Sequence, residues 1–197
     1  MTRGLALVLA VAVAAAVWVG WSRSGGDGAA ERGAVTLVGD SLNVGTGPYL
    51  REELAGWRVR DDSAVGRFTA DGLEALKGLR GRDPVVVSLG TNDPVGGTAA
   101  FAADVRRALE IAGDGRCLVW ATIWREDGPD EDFNAVLREI AAEDGDLRIL
   151  DWHAMLAAHP SYLAPDGLHG SPEGYAARAA EAARLVRACP QEEVQAS

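Results

Sequence analysis

The sequence predicts an α/β protein, a three-layer α/β/α sandwich on a five-stranded parallel sheet of flavodoxin-like strand order. From residue 34 onward, short apolar runs alternate with amphipathic stretches, and this alternation is typical of βα units. The length of 197 residues favours one globular domain with a sizeable core. Hydrophobic residues make up 48% of the chain, and glycine and proline are scattered, which disfavours extensive disorder.

The predicted elements follow from hydrophobic periodicity. Strands are predicted at residues 35–38, 57–60, 85–89, 118–123 and 147–151, and helices at residues 46–55, 69–79, 98–112, 131–143 and 173–188. In the third helix Phe101, Val105 and Ala108 fall on one face, which is the pattern of a helix packed on a sheet. The sequence shows no internal repeat and no second domain.

The N-terminal segment is predicted to lie outside this fold. Residues 4–21 carry no charge, and as a helix they would reach about 27 Å, close to the thickness of a bilayer core. Arg3 lies before this segment and Arg23 behind it, so the weak charge bias keeps the N-terminus cytoplasmic and exports the rest. Trp18 and Trp21 favour a retained anchor, while a cleaved signal peptide and a buried helix remain alternatives.

The chain is therefore expected to have four parts. They are a signal or anchor segment at residues 1–23, a flexible linker at 24–33, the folded domain at 34–190 and a tail at 191–197. The protein would be membrane-anchored with its domain outside the cytoplasm, or secreted if the first part is cleaved.

Composition limits the partners. The formal net charge of −10 argues against a nucleic-acid surface, which needs clustered lysine and arginine. His153 and His159 have no cysteine or carboxylate at ligand spacing, so no metal and no other cofactor is expected.

Two distant motifs indicate a serine nucleophile with its base. Ser41, in Gly39-Asp40-Ser41-Leu42, directly follows the first predicted strand. Asp166-Gly167-Leu168-His169 places an acid and a histidine on one predicted loop near the C-terminus. A serine hydroxyl is a weak nucleophile at neutral pH and needs such a base, which in turn needs an orienting acid.

The predicted topology brings these motifs together. In strand order 2-1-3-4-5, ligands bind beyond the carboxyl ends of the strands. Ser41, Gly66 and Asn92 follow the first, second and third strands, and the loop with Asp166 and His169 follows the fifth. We therefore expect all of them at one edge of the sheet.

The four sequence blocks resemble those of the SGNH hydrolases, the GDSL esterase and lipase superfamily. Gly39-Asp40-Ser41-Leu42 matches the first block, Gly66 the second, Gly90-Thr91-Asn92-Asp93 the third and Asp166-Gly167-Leu168-His169 the last. The resemblance covers residue 35 to about residue 188. It departs from many members at Gly170, where proline often follows the histidine.

The resemblance implies an SGNH hydrolase fold and a Ser41, His169 and Asp166 triad that needs no cofactor. It also implies an oxyanion hole made by the Ser41 and Gly66 N–H groups and the Asn92 side-chain amide. The expected activity is hydrolysis of a small, acetyl-type acyl ester by an exported serine esterase, with an envelope or extracellular carbohydrate as carrier. An acyltransferase with the same triad, a lysophospholipase or thioesterase, and a non-catalytic envelope-binding module are the alternatives.

Each motif also has an ordinary structural explanation. Asp40 and Ser41 would suit a turn or a helix cap, and Asn92-Asp93-Pro94 and Asp166-Gly167 would suit plain turns. Trp124 and Arg125, after the fourth strand, are expected to flank the substrate. Packing for Trp124 and a solvated charge for Arg125 are the favoured alternatives.

Two cysteines in an exported chain suggest a disulfide. Cys117 opens the fourth strand and Cys189 ends the last helix, and both positions lie at the end of the sheet opposite the predicted site. We expect a structural bridge, with two buried free thiols as the alternative.

Overall fold

The computed structural model describes residues 32–190, except for the side chain of Pro129. The predicted anchor at residues 1–23, the tail at 191–197 and most of the predicted linker lie outside these residues. Within residues 32–190, none of the helices combines the length and the apolarity needed to cross a membrane.

Seven strands and six α-helices alternate along these residues. The strands are β1 (Ala34–Gly39), β2 (Arg58–Ser63), β3 (Val85–Ser88), β4 (Leu118–Ala121), β5 (Trp124–Arg125), β6 (Gly128–Pro129) and β7 (Leu147–Leu150). The helices are α1 (Ser41–Glu53), α2 (Thr69–Lys77), α3 (Thr98–Ala112), α4 (Glu131–Glu143), α5 (Trp152–Ala158) and α6 (Pro172–Ala188), with a 3₁₀ turn at Pro160–Tyr162.

Five strands form one parallel sheet in the order β2-β1-β3-β4-β7, which confirms the predicted fold class and strand order. Gly39 at the end of β1 pairs with Ser63 on one side and Ser88 on the other. The first three strands therefore end at the same level of the sheet, and the loops that follow them start side by side.

Apolar residues cover both faces of the sheet and produce the three layers. One core joins Val35, Leu37 and Val86 to helices α1, α5 and α6. The other joins Val85, Val87 and further strand residues to α2, α3 and α4. Fully buried strands of this kind explain the short continuous apolar runs in the sequence.

Helix α1 begins at Ser41, earlier than the predicted start at Thr46. Gly45, Gly47 and Pro48 have low helix propensity, and they lie inside the helix. Two contacts outweigh this cost: Asp40 caps the helix by accepting the Leu42 N–H at 3.0 Å, and α1 packs closely on α6. A Cβ at Gly45 would collide with the Tyr175 ring, so glycine permits this close approach.

Helix α5, the β5–β6 hairpin and the 3₁₀ turn were not predicted. Helix α5 follows β7, and its first turn is capped by Asp151, which accepts the Ala154 N–H at 3.1 Å. A short antiparallel hairpin, β5–β6, lies between β4 and α4. Its strands are two residues long, too short to show a period in the sequence.

A buried polar network lies beneath the N-terminus of α1. Arg178 of α6 is fully buried and donates to Asn43 Oδ1 at 3.2 Å, Thr46 Oγ1 at 2.6 Å and Ser88 Oγ at 2.9 Å. Ser88 Oγ in turn donates to Asp40 Oδ1 at 3.2 Å. This network joins α6, the end of β3 and the first turn of α1.

Burial shifts the pKa values of both charged groups of the network, Arg178 and Asp40. It lowers the pKa of Arg178 to about 10, against the attraction of Asp40, so the guanidinium is charged at neutral pH. Burial raises the pKa of Asp40, and the Leu42 N–H and the charge of Arg178 oppose that rise. The attraction between the two charges thus offsets part of the cost of burying each of them, and for Asp40 the Leu42 N–H offsets more.

The structure joins Cys117 and Cys189 in a disulfide, with 5.9 Å between their Cα atoms. Cys117 immediately precedes β4 and Cys189 follows α6, and both are buried. The bridge therefore fastens α6 to the end of the sheet opposite the loops after β1, β2 and β3.

We expect Arg178→Met to lower the free energy of unfolding by about 3–5 kcal/mol, because it removes the buried charge that attracts Asp40 and the hydrogen bonds to Asn43 and Thr46. Urea unfolding measures this change. The matched control is Arg184→Met on the same helix: Arg184 is exposed, and its ion pair with Glu181 should contribute little to stability because solvent screens it. Equal losses in the two variants would contradict a special role for the buried network.

Opening the disulfide should also destabilise the fold. The bridge closes a loop with a sequence separation of 72, worth about 4 kcal/mol in the chain-entropy model. Replacing both cysteines by alanine should lower the free energy of unfolding by about this amount. Reductant should destabilise the wild type similarly and leave the double variant unchanged. A double variant as stable as the oxidised wild type would contradict the expectation.

Candidate active site

Ser41 lies where the central strand turns into a helix. The Asp40 N–H donates to the Ser88 carbonyl at 2.9 Å, which continues the ladder one residue beyond β1, and Ser41 is the first residue of α1. Its backbone N–H belongs to the first turn, where N–H groups have no intrahelical acceptor. The side chain and the N–H of Ser41 therefore stand together at the positive end of a helix dipole.

Ser41, His169 and Asp166 form one hydrogen-bonded chain. His169 Nε2 lies 3.0 Å from Ser41 Oγ, and His169 Nδ1 lies 2.8 Å from Asp166 Oδ2. The His169 side chain is 36% exposed and the Asp166 side chain 53% exposed, so the chain opens to solvent. The structure thus brings Ser41 to the Asp166 and His169 pair, although Ser41 and His169 are 128 positions apart in the sequence.

A small closed loop holds Asp166 and His169. Its ends are joined by the Ala164 N–H, which donates to the His169 carbonyl at 2.8 Å. Inside the loop Asp166 Oδ1 accepts the Leu168 N–H at 3.0 Å and the His169 N–H at 2.9 Å. The predicted turn therefore exists, and its hydrogen bonds fix the carboxylate on the imidazole.

These bonds keep Asp166 ionised. They lower the pKa of Asp166 to about 2: the Leu168 N–H contributes most, followed by the His169 N–H and the His169 side chain. A carboxylate with this pKa stays ionised at neutral pH. It can therefore hold the imidazole by accepting a hydrogen bond without taking up its proton.

Gly66 lies in the turn after β2. The Ala64 N–H donates to the Gly39 carbonyl at 2.9 Å, so this turn starts beside the end of β1. Gly66 has φ +75°, and a Cβ there would meet nothing within 4 Å. The backbone conformation, and not a lack of space within the protein, is therefore what favours glycine here.

Asn92 lies in the loop after β3 and contacts the Gly66 turn. Its Nδ2 donates to the Arg67 carbonyl at 3.2 Å, and a side-chain amide has a second N–H to offer. The neighbouring Asp93 accepts the Thr69 N–H at 2.8 Å. These two bonds tie the loops after β2 and β3 together and set the direction of the Asn92 amide.

A cleft of about 460 Å³ lies beside these groups. It is lined by Thr91, Asn92, Arg125, Glu126, Asp127 and Leu168. The cleft thus runs from the Asn92 amide to the loop of His169, and it falls within the size range of small-molecule sites.

The two predicted substrate-flanking residues direct their donors into the protein. The Trp124 indole N–H donates to the Gly167 carbonyl at 3.0 Å, and its ring packs partly buried against the core. Arg125 borders the cleft, but its side chain is only 12% exposed and is paired with Asp130 at 2.8 Å. Arg125 is thus not the solvated surface charge of the favoured alternative.

Sequence reasoning did not single out Asp93, Ser88 or Arg178. Asp93 had a signal, because it completes the third block next to Asn92. Arg178 had a weaker one, as a lone arginine on the apolar face of α6 beside Ala179 and Ala182. Across residues 32–190, histidine, cysteine and carboxylate side chains form no group of three that could hold a metal ion.

Curated relatives match most of the domain. The O-acetyltransferase OatA of Staphylococcus aureus is 28% identical over 139 residues, which is 68% of this chain and 22% of that protein. The peptidoglycan O-acetyltransferase OatA of Listeria monocytogenes is 26% identical over 136 residues, 67% of this chain and 20% of that protein. The chain thus spans about a fifth of the length of these relatives.

Solved structures share the fold. A lipase/acylhydrolase from Enterococcus faecalis superimposes with a TM-score of 0.68 at 20% identity, covering 82% of this chain and 100% of that one. The C-terminal catalytic domain of peptidoglycan O-acetyltransferase A from Streptococcus pneumoniae, solved with a methylsulfonyl adduct, gives 0.63 at 22% identity, covering 80% and 91%. These neighbours are SGNH hydrolases.

The sequence model of the GDSL-like lipase/acylhydrolase family matches residues 20–177. The match includes Ser41, Gly66, Asn92, Asp166 and His169, that is, all the loops described above. The chain belongs to the GDSL-like lipase/acylhydrolase family.

Proposed function

We propose that the protein is a serine esterase that releases a small acyl group, of acetyl type, from an ester on a cell-envelope or extracellular carbohydrate. The observation that carries the proposal is the hydrogen-bonded chain Ser41–His169–Asp166, with distances of 3.0 Å and 2.8 Å at the carboxyl end of the sheet. A hydroxyl, an imidazole and a carboxylate in this order are the parts that nucleophilic acyl transfer requires.

In the first step Ser41 Oγ attacks the ester carbonyl and His169 Nε2 takes its proton. Asp166 holds Nδ1–H at 2.8 Å, which selects the tautomer with a free Nε2 and stabilises the imidazolium that forms. The imidazolium then gives the proton to the leaving alkoxide, and the acyl group stays on Ser41.

The oxyanion of this step needs hydrogen-bond donors. We assign that role to the Ser41 and Gly66 N–H groups and to the second N–H of the Asn92 amide. The Gly66 φ of +75° and the bond from Asn92 to the Arg67 carbonyl support the assignment, because both fix donor directions before substrate arrives.

Water completes the reaction in the esterase proposal. The exposure of His169, at 36%, supports it because the base that must activate the second nucleophile is open to solvent. His169 then takes a proton from water, and the acyl group leaves as a free acid.

An O-acetyltransferase is the second candidate, and the names of the relatives favour it. The relatives from Listeria monocytogenes and Streptococcus pneumoniae are peptidoglycan O-acetyltransferases by name, which supports a carbohydrate partner for this chain as well. In this variant a sugar hydroxyl, and not water, takes the acyl group from Ser41.

We further propose that residues 1–23 anchor or export the domain through residues 24–33. The uncharged stretch at residues 4–21 supports a membrane segment, and a carbohydrate of the cell envelope would then be within reach.

The first test is hydrolysis of p-nitrophenyl esters from acetate to palmitate by the whole chain. Turnover should be confined to short acyl groups, and Ser41→Ala should lower kcat by at least about 10³-fold because the nucleophile is gone. The control is Ser161→Ala, an exposed serine outside the site, which should keep the wild-type rate.

Residual turnover within a few-fold of wild type in Ser41→Ala would overturn the mechanism. Palmitate as the best substrate would point to a lipid hydrolase. Adding an oligosaccharide acceptor separates the two candidates, since mass spectrometry detects free acetate alone for an esterase and acetylated sugar for a transferase.

A second test addresses Asp166. Carboxyl ¹³C NMR should give a titration midpoint of about 2 for Asp166. The stabilisation of the loop by the ionised carboxylate is then fully present above pH 3.8 and is lost as the pH falls through about 2. In His169→Ala the midpoint should stay below 3.8, because the Leu168 N–H is the largest cause of the shift. A wild-type midpoint at 3.8 or above would contradict this structure of the loop.

A further inference from the structure

The β5–β6 hairpin touches both loops that carry the proposed chemistry. Trp124 at its start donates an indole N–H to the Gly167 carbonyl at 3.0 Å, in the loop of Asp166 and His169. Its neighbour Arg125 reaches the other way, to the loop after β3 that carries Asn92. Adjacent residues of one strand therefore fasten two loops that come from opposite halves of the chain.

Arg125 donates hydrogen bonds to that loop and to Asp130. Its Nη2 donates to the Gly90 carbonyl at 3.1 Å, and its Nη1 donates to the Asp93 carbonyl at 3.0 Å and to the Thr91 carbonyl. Its Nε donates to Asp130 Oδ2 at 2.8 Å. Four of the five N–H groups of the guanidinium are thus engaged, and three of them hold backbone carbonyls of one short turn.

The surroundings keep this guanidinium in place. Arg125 and Asp130 are only 12% and 10% exposed, so the ion pair is little screened by solvent. The guanidinium also lies over the Phe133 ring, 5.2 Å from its centroid. The planar guanidinium of Arg125, with Asp130 on one side and the Phe133 ring below it, is held in a single orientation. A lysine ammonium would not reproduce it.

Asn92 is held from two sides as a result. Arg125 binds the carbonyls of Gly90, Thr91 and Asp93, which lie on both sides of Asn92 in the chain. The Arg67 carbonyl accepts from Asn92 Nδ2 at 3.2 Å. An oxyanion donor must be aligned before the charge develops, and a displacement of about 1 Å can cost on the order of 10²-fold in rate.

We propose that Arg125 is a positioning residue of the oxyanion hole and that the β5–β6 hairpin aligns the two halves of the site. Arg125 acts through the Asn92 amide, and Trp124 acts through the loop of Asp166 and His169. This inference rests on the proposed function, because it assigns Asn92 to the oxyanion.

A double-mutant cycle tests the route from Arg125 to Asn92. Arg125→Met should lower kcat for p-nitrophenyl acetate by about 10- to 100-fold with little change in KM, and Asn92→Ala should lower it by about 10²- to 10³-fold. In the Asn92→Ala background Arg125→Met should cost less than about 3-fold, because the amide that it positions is already gone. Arg106→Met, which removes an exposed ion pair with Glu143, is the matched control and should leave kcat unchanged.

Trp124→Phe tests the contact between the hairpin and the loop of Asp166 and His169. It keeps an aromatic ring in the same place and removes the N–H that Gly167 accepts. Its loss of rate should persist in full in the Asn92→Ala background, because it acts on the other loop. A loss that disappears there would overturn the division of the two loops between Trp124 and Arg125.

The rate of Ser41 sulfonylation by methanesulfonyl fluoride, followed by intact mass, gives the same cycle without a carboxylic ester. Ser41 Oγ bonds to sulfur, fluoride leaves, and His169 takes the serine proton. If the wild type is not labelled and Ser41→Ala hydrolyses the ester at an unchanged rate, the proposed function itself is overturned. Normal labelling of Ser41 with no slowing in Arg125→Met would overturn only the role of Arg125.

Folding is checked by thermal unfolding of each variant. If Arg125→Met does not fold, Arg125→Lys replaces it in the cycle, because it keeps the charge beside Asp130 and loses the fork. The rate loss should again vanish in the Asn92→Ala background. Equal fold-losses in both backgrounds would show a merely structural role and overturn the proposal.

Discussion

The common end of three parallel strands is the constraint on which the site depends. Gly39 is in register with Ser63 and Ser88, and the Asp40 N–H still donates to the Ser88 carbonyl at 2.9 Å. Because side chains alternate between the faces of a sheet, a slip of one residue would exchange the side chains that β1 presents to the two apolar layers and displace the start of α1. The position of Ser41 relative to the turns after β2 and β3 is therefore set by the register of the strands.

Two kinds of restraint meet at Ser41. Below it, Asp40 and Arg178 are buried charges in a hydrogen-bonded network, where a missing partner is costly and a single arrangement is strongly favoured. Above it, Asp166 and His169 are exposed, and the order there comes from backbone N–H groups that hold the carboxylate. The nucleophile can thus be fixed by a rigid interior while its base stays accessible to solvent, and an open site needs no burial to be well ordered.

The sequence predicted the sheet order and the convergence of the four loops because both follow from local signals, namely apolar runs and short polar motifs at strand ends. Helix α1 shows a limit of the prediction: Gly45 obscures the start of the helix, which depends on the cap at Asp40 and on packing against Tyr175. Arg125 shows another. Its acceptors are backbone carbonyls 32 to 35 positions away, and no residue type in the sequence marks a carbonyl that needs a donor.

In the proposed mechanism hydrolysis and transfer share every step up to the acyl group on Ser41. The same base, His169, then deprotonates either water or a sugar hydroxyl, so the triad favours neither product. Water reaches the exposed imidazole at high concentration, and a sugar competes only if it is bound long enough beside the acyl group. In this proposal the cleft of about 460 Å³ lined by Asn92 and Leu168 would hold the sugar, and Glu126 and Asp127, which also line it, would accept hydrogen bonds from its hydroxyl groups. The balance between esterase and transferase therefore depends on the residence time of the acceptor in this cleft, and not on the geometry of the nucleophile.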